Sequence, residues 1–375
     1  MLRLFEGIKF PPATLLPGIT LFMLLWIFPP PLSGQSRLEL LNADISRGTV
    51  QNGLFLRILE GNVHARQDTV ELFCDRATYI QSQGKVILEN DVKIIKGEGT
   101  LTAGKVTYYE DTKLAIAEDS VHVWRPGREL FTDYLEYNYS TDYSRAEKGV
   151  ELHDMDTRVT ITAMEGEYLS EQQLSYVEHR AHLIKPDSSA SDTLHIFARR
   201  MEYYSGDNPR AVGIDSVKII KANLKANCDS AIYLINEDRV FMELNPIATQ
   251  ENSEMRGAQM ELILNDTEIK QIKVRGKANV ISVVDSVTGK RNKLAGKEII
   301  MYINQRKLRK LLAISNARSL YYFIEEKESK GLNTATADTI KAFFTDGQLD
   351  SIDVKGGAQG VFYPSDYKGK IEEKF

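Results

Sequence analysis

Six histidines, two cysteines and a surplus of carboxylates are the side chains here that could hold a metal or move a proton. The histidines are His64, His122, His153, His179, His182 and His195, and only Glu178-His179-Arg180-Ala181-His182 brings two of them close in sequence. A zinc ion needs three or four N, S or O ligands converging on one point. Residues three apart on a β-strand face opposite ways, so His179 and His182 could share an ion only across a bulge. His64 and His122 each sit next to a valine and are expected to face outward. The sequence carries no G-x-S-x-G elbow and no P-loop, and Gly97-Glu98-Gly99 lacks the third glycine and following helix of a dinucleotide fingerprint. The carboxylates are scattered, as on a solvated β surface. The side chains point to no enzyme, no metal site and no cofactor.

What must position these residues is a repeat. Gly61–Tyr79 (GNVHARQDTVELFCDRATY) is its first clear copy, with a turn into a strand at Gly61-Asn62-Val63 and a closing strand that ends on tyrosine. The closing half recurs at Tyr108, Tyr137, Tyr168, Tyr203 and Tyr233, in steps of 29, 29, 31, 35 and 30 residues, with looser copies ending at Leu262 and Met301. The opening half recurs at Val92, Val121 and Val150, each 29 residues on, then at His182, Val217, Ile247 and Val280, with weak continuations at Arg318 and Ala358. A period in this range marks a repeat architecture in which no unit buries its apolar face alone. About ten units follow Gly61, and rungs of ~4.8 Å would make a stack of ~50 Å.

Apolar residues alternate with polar ones through each unit, which is the period of a strand with one face in and one out. The inward set comprises Val63, Leu72 and Cys74, then Val92, Ile94, Leu101 and Ala103, then Val121, Val123 and Leu130, then Val150, Leu152, Ile161 and Ala163. Asn90-Asp91, Asp119-Ser120, Lys148-Gly149, Asp215-Ser216 and Asn245-Pro246 read as joints between strands. Gln305–Ser315 aligns with an earlier strand, so the chain is all-β. One inward slot stays small throughout (Cys74, Ala103, Thr132, Ala163, Ala198, Cys228, Gly257, Gly296). Either a furrow runs there or a neighbouring strand approaches closely. The tyrosine row suits edge packing or the lip of a groove. Cys74 and Cys228 share a slot five units apart, ~24 Å at one spacing per unit. That is beyond the ~7 Å reach of a disulfide, so both are expected free.

Residues 1–36 read as an export signal, with Arg3 and Lys9 ahead of the 14-residue apolar run Leu15–Phe28 and cleavage near Gly34–Ser36. An uncleaved anchor is the other reading. Without that segment 45 basic and 51 acidic residues remain, a balance of −6 that disfavours nucleic acid as a partner. Asp285–Lys293 and Ile324–Asn333 read as long solvent loops, and residues 363–375 as a flexible tail beyond repeats spanning 37–362. Arg306-Lys307-Leu308-Arg309-Lys310 is a guarded edge or a contact for anionic headgroups.

The pattern carried by Gly61-Asn62-Val63, Asn90-Asp91-Val92, Asp119-Ser120-Val121, Leu72–Tyr79, Leu101–Tyr108 and Leu130–Tyr137 resembles the OstA-like or LptA-like family of lipopolysaccharide export proteins. The resemblance implies an open, elongated β-jellyroll (a β-taco) of stacked antiparallel strands. It implies a periplasmic carrier of lipopolysaccharide whose inward residues cover the acyl chains. It also implies an inner-membrane export complex and an outer-membrane barrel as partners through edge-strand pairing, and end-to-end self-association. This chain is longer than the shortest members and its later units are looser. A structural or adhesive β-solenoid with a packed core is the alternative, and a polysaccharide-processing β-helix ranks last.

Overall fold

A computed structural model describes residues 38–369, apart from positions 68, 139, 142, 170–171, 190–191, 267, 326–327 and 346–347. The expected export signal, residues 1–36, lies outside the described residues. The strands are β1 Leu38–Asn42, β2 Ile45–Gln51, β3 Leu54–Gln67, β4 Val70–Ile80, β5 Lys85–Lys96, β6 Gly99–Tyr109, β7 Leu114–Arg125 and β8 Arg128–Asn138. They continue with β9 Tyr143–Asp154, β10 Val159–Leu169, β11 Leu174–Pro186, β12 Thr193–Tyr204, β13 Arg210–Lys221, β14 Leu224–Leu234, β15 Arg239–Glu243 and β16 Ile247–Gln250. The last are β17 Ser253–Arg256, β18 Gln259–Asn265, β19 Glu268–Asp285, β20 Lys290–Asn304, β21 Lys307–Glu325, β22 Glu328–Thr345, β23 Gln348–Lys355 and β24 Gln359–Pro364. All pair antiparallel in one sheet, mostly with their sequence neighbours, and the fold is all-β as the alternation predicts.

The sheet is folded lengthwise, and the fold line is written in the backbone. Among the described residues twelve pairs of consecutive left-handed residues occur; 52–53 and 305–306 turn hairpins, and ten recur along the fold line: 61–62, 90–91, 119–120, 148–149, 179–180, 215–216, 244–245, 276–277, 315–316 and 356–357. At Asn90-Asp91, φ is +62° and +48°, a region tolerated by Gly, Asn and Asp and costly for others. Each pair faces a single residue of the adjoining strand; Glu89 pairs with Lys105 and Val92 with Ala103, so Asn90-Asp91 oppose Gly104 alone. Such a two-against-one bulge bends the strand. A Cβ on Gly104 would lie 2.8 Å from the Asp119 Cβ, which explains the glycine.

The pairs read from sequence as joints are therefore corners inside continuous strands. Strand β5 runs through Asn90-Asp91 and β7 through Asp119-Ser120. The joints between strands lie about midway between corners, at the hairpins. Each repeat thus contributes two strands, not one spacing, and the two halves of every strand form two facing walls. Where the corner breaks pairing, one long strand appears as two, as in β15 with β16 or β23 with β24. Counted this way the ladder has about twenty rungs and is about 90 Å long, nearly twice the expected length.

The corner also fixes which residue turns inward: the one right after the left-handed pair. In the first four repeats that is Val63, Val92, Val121 and Val150, as expected, and all are buried. Further on, the slot belongs to Ala181, Pro246, Ala278 and Ala317 rather than to His182, Ile247, Val280 and Arg318. His182, Ile247 and Arg318 face outward instead, and Val280 is the next inward residue. Chemical likeness misplaced the register there, because the pair His179-Arg180 does not look like a corner.

The expected loop at Asp285–Lys293 is only a tight turn, with Lys290–Lys293 already in β20. Ile324–Asn333 is the tip of the β21–β22 hairpin. Strands β19 to β22 are 15 to 19 residues long against 11 or 12 in most earlier ones, so the inserted residues lengthen the walls. Strand β24 continues to Pro364 and buries Tyr363, which belongs to the sheet rather than to a tail.

Cys74 and Cys228 are free and buried, ten rungs apart, or about 48 Å. Burial pushes the Cys74 thiol up to about 11 and the Cys228 thiol up to about 12. A raised thiol pKa favours the neutral fold, so this stabilisation is complete below the unfolded value of ~8.5 and fades as pH climbs toward 11. Neither cysteine is expected to react with a thiol-disulfide reagent at pH 8 until the chain is unfolded, when both should. Titration with and without denaturant measures this.

Candidate lipid-binding seam

The space between the walls is an apolar seam. Every residue expected to face inward does so: Val63, Cys74, Val92, Ile94, Leu101, Ala103, Val121, Val123, Val150, Leu152, Ile161 and Ala163 are buried, and Leu72 and Leu130 are half-buried against the same cluster. The small row lies at the apex, directly paired with the corner residues: Val63 with Cys74, Val92 with Ala103, Val121 with Thr132, Val150 with Ala163. The walls converge there. At Gly257 an added Cβ would come within 2.6 Å of Val274 Cγ1 and 2.8 Å of the Arg275 carbonyl, which is the close-approach reading of that row. Thr132 satisfies its hydroxyl by donating to the Glu147 carbonyl at 2.7 Å.

The seam was expected to be an open furrow, and over its C-terminal half it is filled. Ile219, Leu224, Met242, Leu262, Ile272 and Ile299 are all 0% exposed and pack into one cluster from Leu152 to Ile340. The tyrosine row follows the same gradient: Tyr79 and Tyr108 are half-buried, while Tyr203 and Tyr233 are almost wholly covered. These rings lie inside the rim of one wall rather than on an outer edge. The Tyr203 hydroxyl reaches across the mouth and donates to Asp154 Oδ2 at 2.8 Å. Arg158 on one rim pairs with Asp266 on the other at 3.3 Å, and the Ser188 N–H donates to Asp266 at 3.1 Å. These links lie between β9 and β19 and hold the rims together.

Just before them, between β7 and β11, the walls leave a cavity of about 60 Å³. Val123, Leu130, Val150 and Leu152 line it from one wall and Leu135, Ala146 and Val177 from the other, with Arg125 and Arg128 at its border. These two arginines escaped the sequence reading. A signal for Arg125 was present: counting four residues past Val92, Val121, Val150, Ala181 and Val217 gives Lys96, Arg125, Asp154, Lys185 and Lys221, a charged position in five successive repeats along one rim.

The histidines lie on the outer face and stack on phenylalanine: His64 on Phe73 at 4.3 Å, His122 on Phe131 at 4.2 Å and His182 on Phe197 at 4.0 Å. His182 Nε2 is 3.0 Å from His195 Nδ1, and His179 occupies the corner. In the basic cluster, Arg306 sits in the β20–β21 hairpin and Lys310 lies 3.9 Å over the Tyr302 ring. No helix among the described residues is long and apolar enough to cross a membrane, which leaves strands out of account.

Both ends of the ladder are open. Strands β1 and β2 pair with β3, and β23 and β24 with β22, and among the described residues nothing covers their outer sides. Leu40, Leu41, Ile45 and Val50 are exposed at the first edge, Val50 to 69%, and Val361 and Phe362 at the other.

Residues 35–193 match the family described as OstA-like protein. Thirteen solved chains match, among them LptH from Pseudomonas aeruginosa, titled the LptA homologous periplasmic component of the conserved lipopolysaccharide transport device. It shares 16% identity and a TM-score of 0.30 over 38% of this chain and 95% of that one. No curated protein matches. The match over residues 35–193 takes in the clearest repeats, and that part of the chain is similar to OstA-like proteins.

Proposed function

We propose that the chain is an exported periplasmic carrier that shields the acyl chains of a lipopolysaccharide-type glycolipid between its walls and performs no reaction on them. The observation that carries this reading is the apolar seam, whose two main buried clusters together reach from Val63 to Ile340 along a sheet with two open ends. Each methylene taken from water gains ~0.8 kcal/mol, so one twelve-carbon chain would cost on the order of 10 kcal/mol to expose. Inside the seam a chain exchanges wall-to-wall contacts for wall-to-lipid contacts of the same kind, and near-equivalent rungs hold it about equally. The N-terminal half, with its half-buried tyrosines and its cavity, is where the walls part most readily. The open edges suit strand pairing with an inner-membrane complex, an outer-membrane barrel or a second copy.

Photo-crosslinking groups at Val121, Leu130 and Ile161 are expected to capture lipid in the envelope, while the same group at outward-facing Phe131 is not. Adducts absent from all three inward sites would overturn the reading. The filled seam beyond β12 favours a second one, a structural exported β-solenoid with a packed core. It predicts no adducts anywhere along the seam.

A further inference from the structure

The cavity between β7 and β11 has a polar border that the apolar seam does not require. Arg128 begins β8 with only 7% of its side chain exposed; its Nε pairs with Asp154 Oδ2 at 3.1 Å, while its Nη1 has no hydrogen-bond partner among the described residues. A buried guanidinium nitrogen left without an acceptor is expensive. Arg125, at the end of β7 and across the hairpin from Arg128, lines the same cavity. Burial pushes its guanidinium below its ordinary value, and the groups acting on it besides burial are the Tyr168 and Tyr137 side chains, with no carboxylate among them. Two carboxylates touch the cavity's edge from the outward register: Glu129 Oε2 lies 3.9 Å from His122 Nε2, and Glu167 accepts a hydrogen bond from the Tyr143 hydroxyl. One positive charge therefore stands uncompensated beside an apolar floor, and a second arginine offers a spare donor.

We propose that Arg125 and Arg128 form an anion seat for the acidic head of an amphiphile, a phosphate or a carboxylate, whose tail lies on Val123, Leu130, Val150 and Leu152. The inference rests on the lipid-carrier reading and adds to it which group the chain recognises and where. A guanidinium fork matches either oxyanion and forms charge-assisted hydrogen bonds with it. The seat lies just ahead of the rim-to-rim links at Asp154, so the head would remain at the mouth while the tail enters the seam.

The test uses the mature chain and calorimetric titration with three twelve-carbon probes: dodecyl phosphate, dodecanoate and the neutral dodecyl maltoside. The wild type is expected to bind an anionic probe about tenfold more tightly than the neutral one, the scale of one charge-assisted hydrogen bond. Arg125→Gln is expected to remove most of that preference, keep the binding of dodecyl maltoside, and leave the unfolding midpoint in place because no carboxylate partner is lost. Tighter binding of dodecyl phosphate than of dodecanoate would assign the seat to lipid phosphates, and the reverse to free fatty acids. Equal binding of all three probes, or a preference that survives Arg125→Gln, overturns the anion seat and leaves the carrier reading standing. Binding of none overturns both.

Discussion

Asp154→Ala is expected to lower stability by about 3–5 kcal/mol, the range for leaving one partner of a buried ion pair uncompensated. The Asp154 side chain is 1% exposed, and every bond it makes is replaceable only by water that cannot reach it. Its Oδ1 accepts the Thr157 N–H at 2.9 Å, and its Oδ2 accepts the Tyr203 hydroxyl at 2.8 Å and faces Arg128 Nε at 3.1 Å. Burial first, and the Asp154 charge second, hold the Tyr203 phenol well above its ordinary value, so it serves as a donor throughout the working pH range. Removing the carboxylate strands Arg128 inside the seam and also releases one rim-to-rim link. A repeat stack transmits such losses to its neighbours only, so the opening should be centred on β8 to β12. Hydrogen exchange would report it there, and urea unfolding would give the size. Arg128→Met combined with Asp154→Leu removes both charges and is expected to cost far less than Asp154→Ala alone. A double variant as unstable as the single one would show that the rims depend on this aspartate for something other than its charge.

What the sequence disclosed, and what it hid, follows from the range of each interaction. Alternation is local, so the inward set from Val63 to Ala163 was legible residue by residue. The corners were visible as Asn, Asp and Gly pairs but were misread, because a hairpin turn and a mid-strand corner ask the same thing of the backbone: two residues with positive φ. Choosing between them needs the pairing partner, which sequence spacing does not supply. From that one ambiguity came the halved length and the misplaced His182 and Ile247. The closed mouth was out of reach, since Tyr203 and Asp154 are 49 residues apart and Arg158 and Asp266 are 108 apart. The filling of the later seam was hidden for a related reason. Alternating Val, Ile, Leu and Ala specify an apolar wall equally well whether its neighbour is a lipid chain or the opposite wall.

Excision of Val92–Ser120, 29 residues, is expected to leave a folded protein, whereas excision of Val92–Val121 is not. The first cut joins Asp91 to Val121, keeping a left-handed pair followed by an inward valine. The first half of β5 then runs into the second half of β7. Val121 replaces Val92, Val123 replaces Ile94 and Arg125 replaces Lys96, so each inward slot receives its own kind. Strand β4 finds His122–Arg125 where it had Lys93–Lys96, and β8 finds Lys85–Glu89 where it had Leu114–Glu118, both with the original register. Removing one further residue joins Asp91 to His122. This turns His122 and Trp124 inward and Val123 outward on one wall, because a single-residue slip exchanges the two faces of a strand. The buried Val121 and Val123 contacts, each worth roughly 1.5–3 kcal/mol of apolar burial, are lost together, and an imidazole enters the seam unpartnered. Circular dichroism melts and gel filtration of the two deletants separate the outcomes. The 29-residue deletant should stay soluble with a cooperative β transition, and the 30-residue one should aggregate or melt without cooperativity. Equal behaviour would mean that the corners do not set the register, and the assignment of inward residues would have to be rebuilt from the hairpins instead.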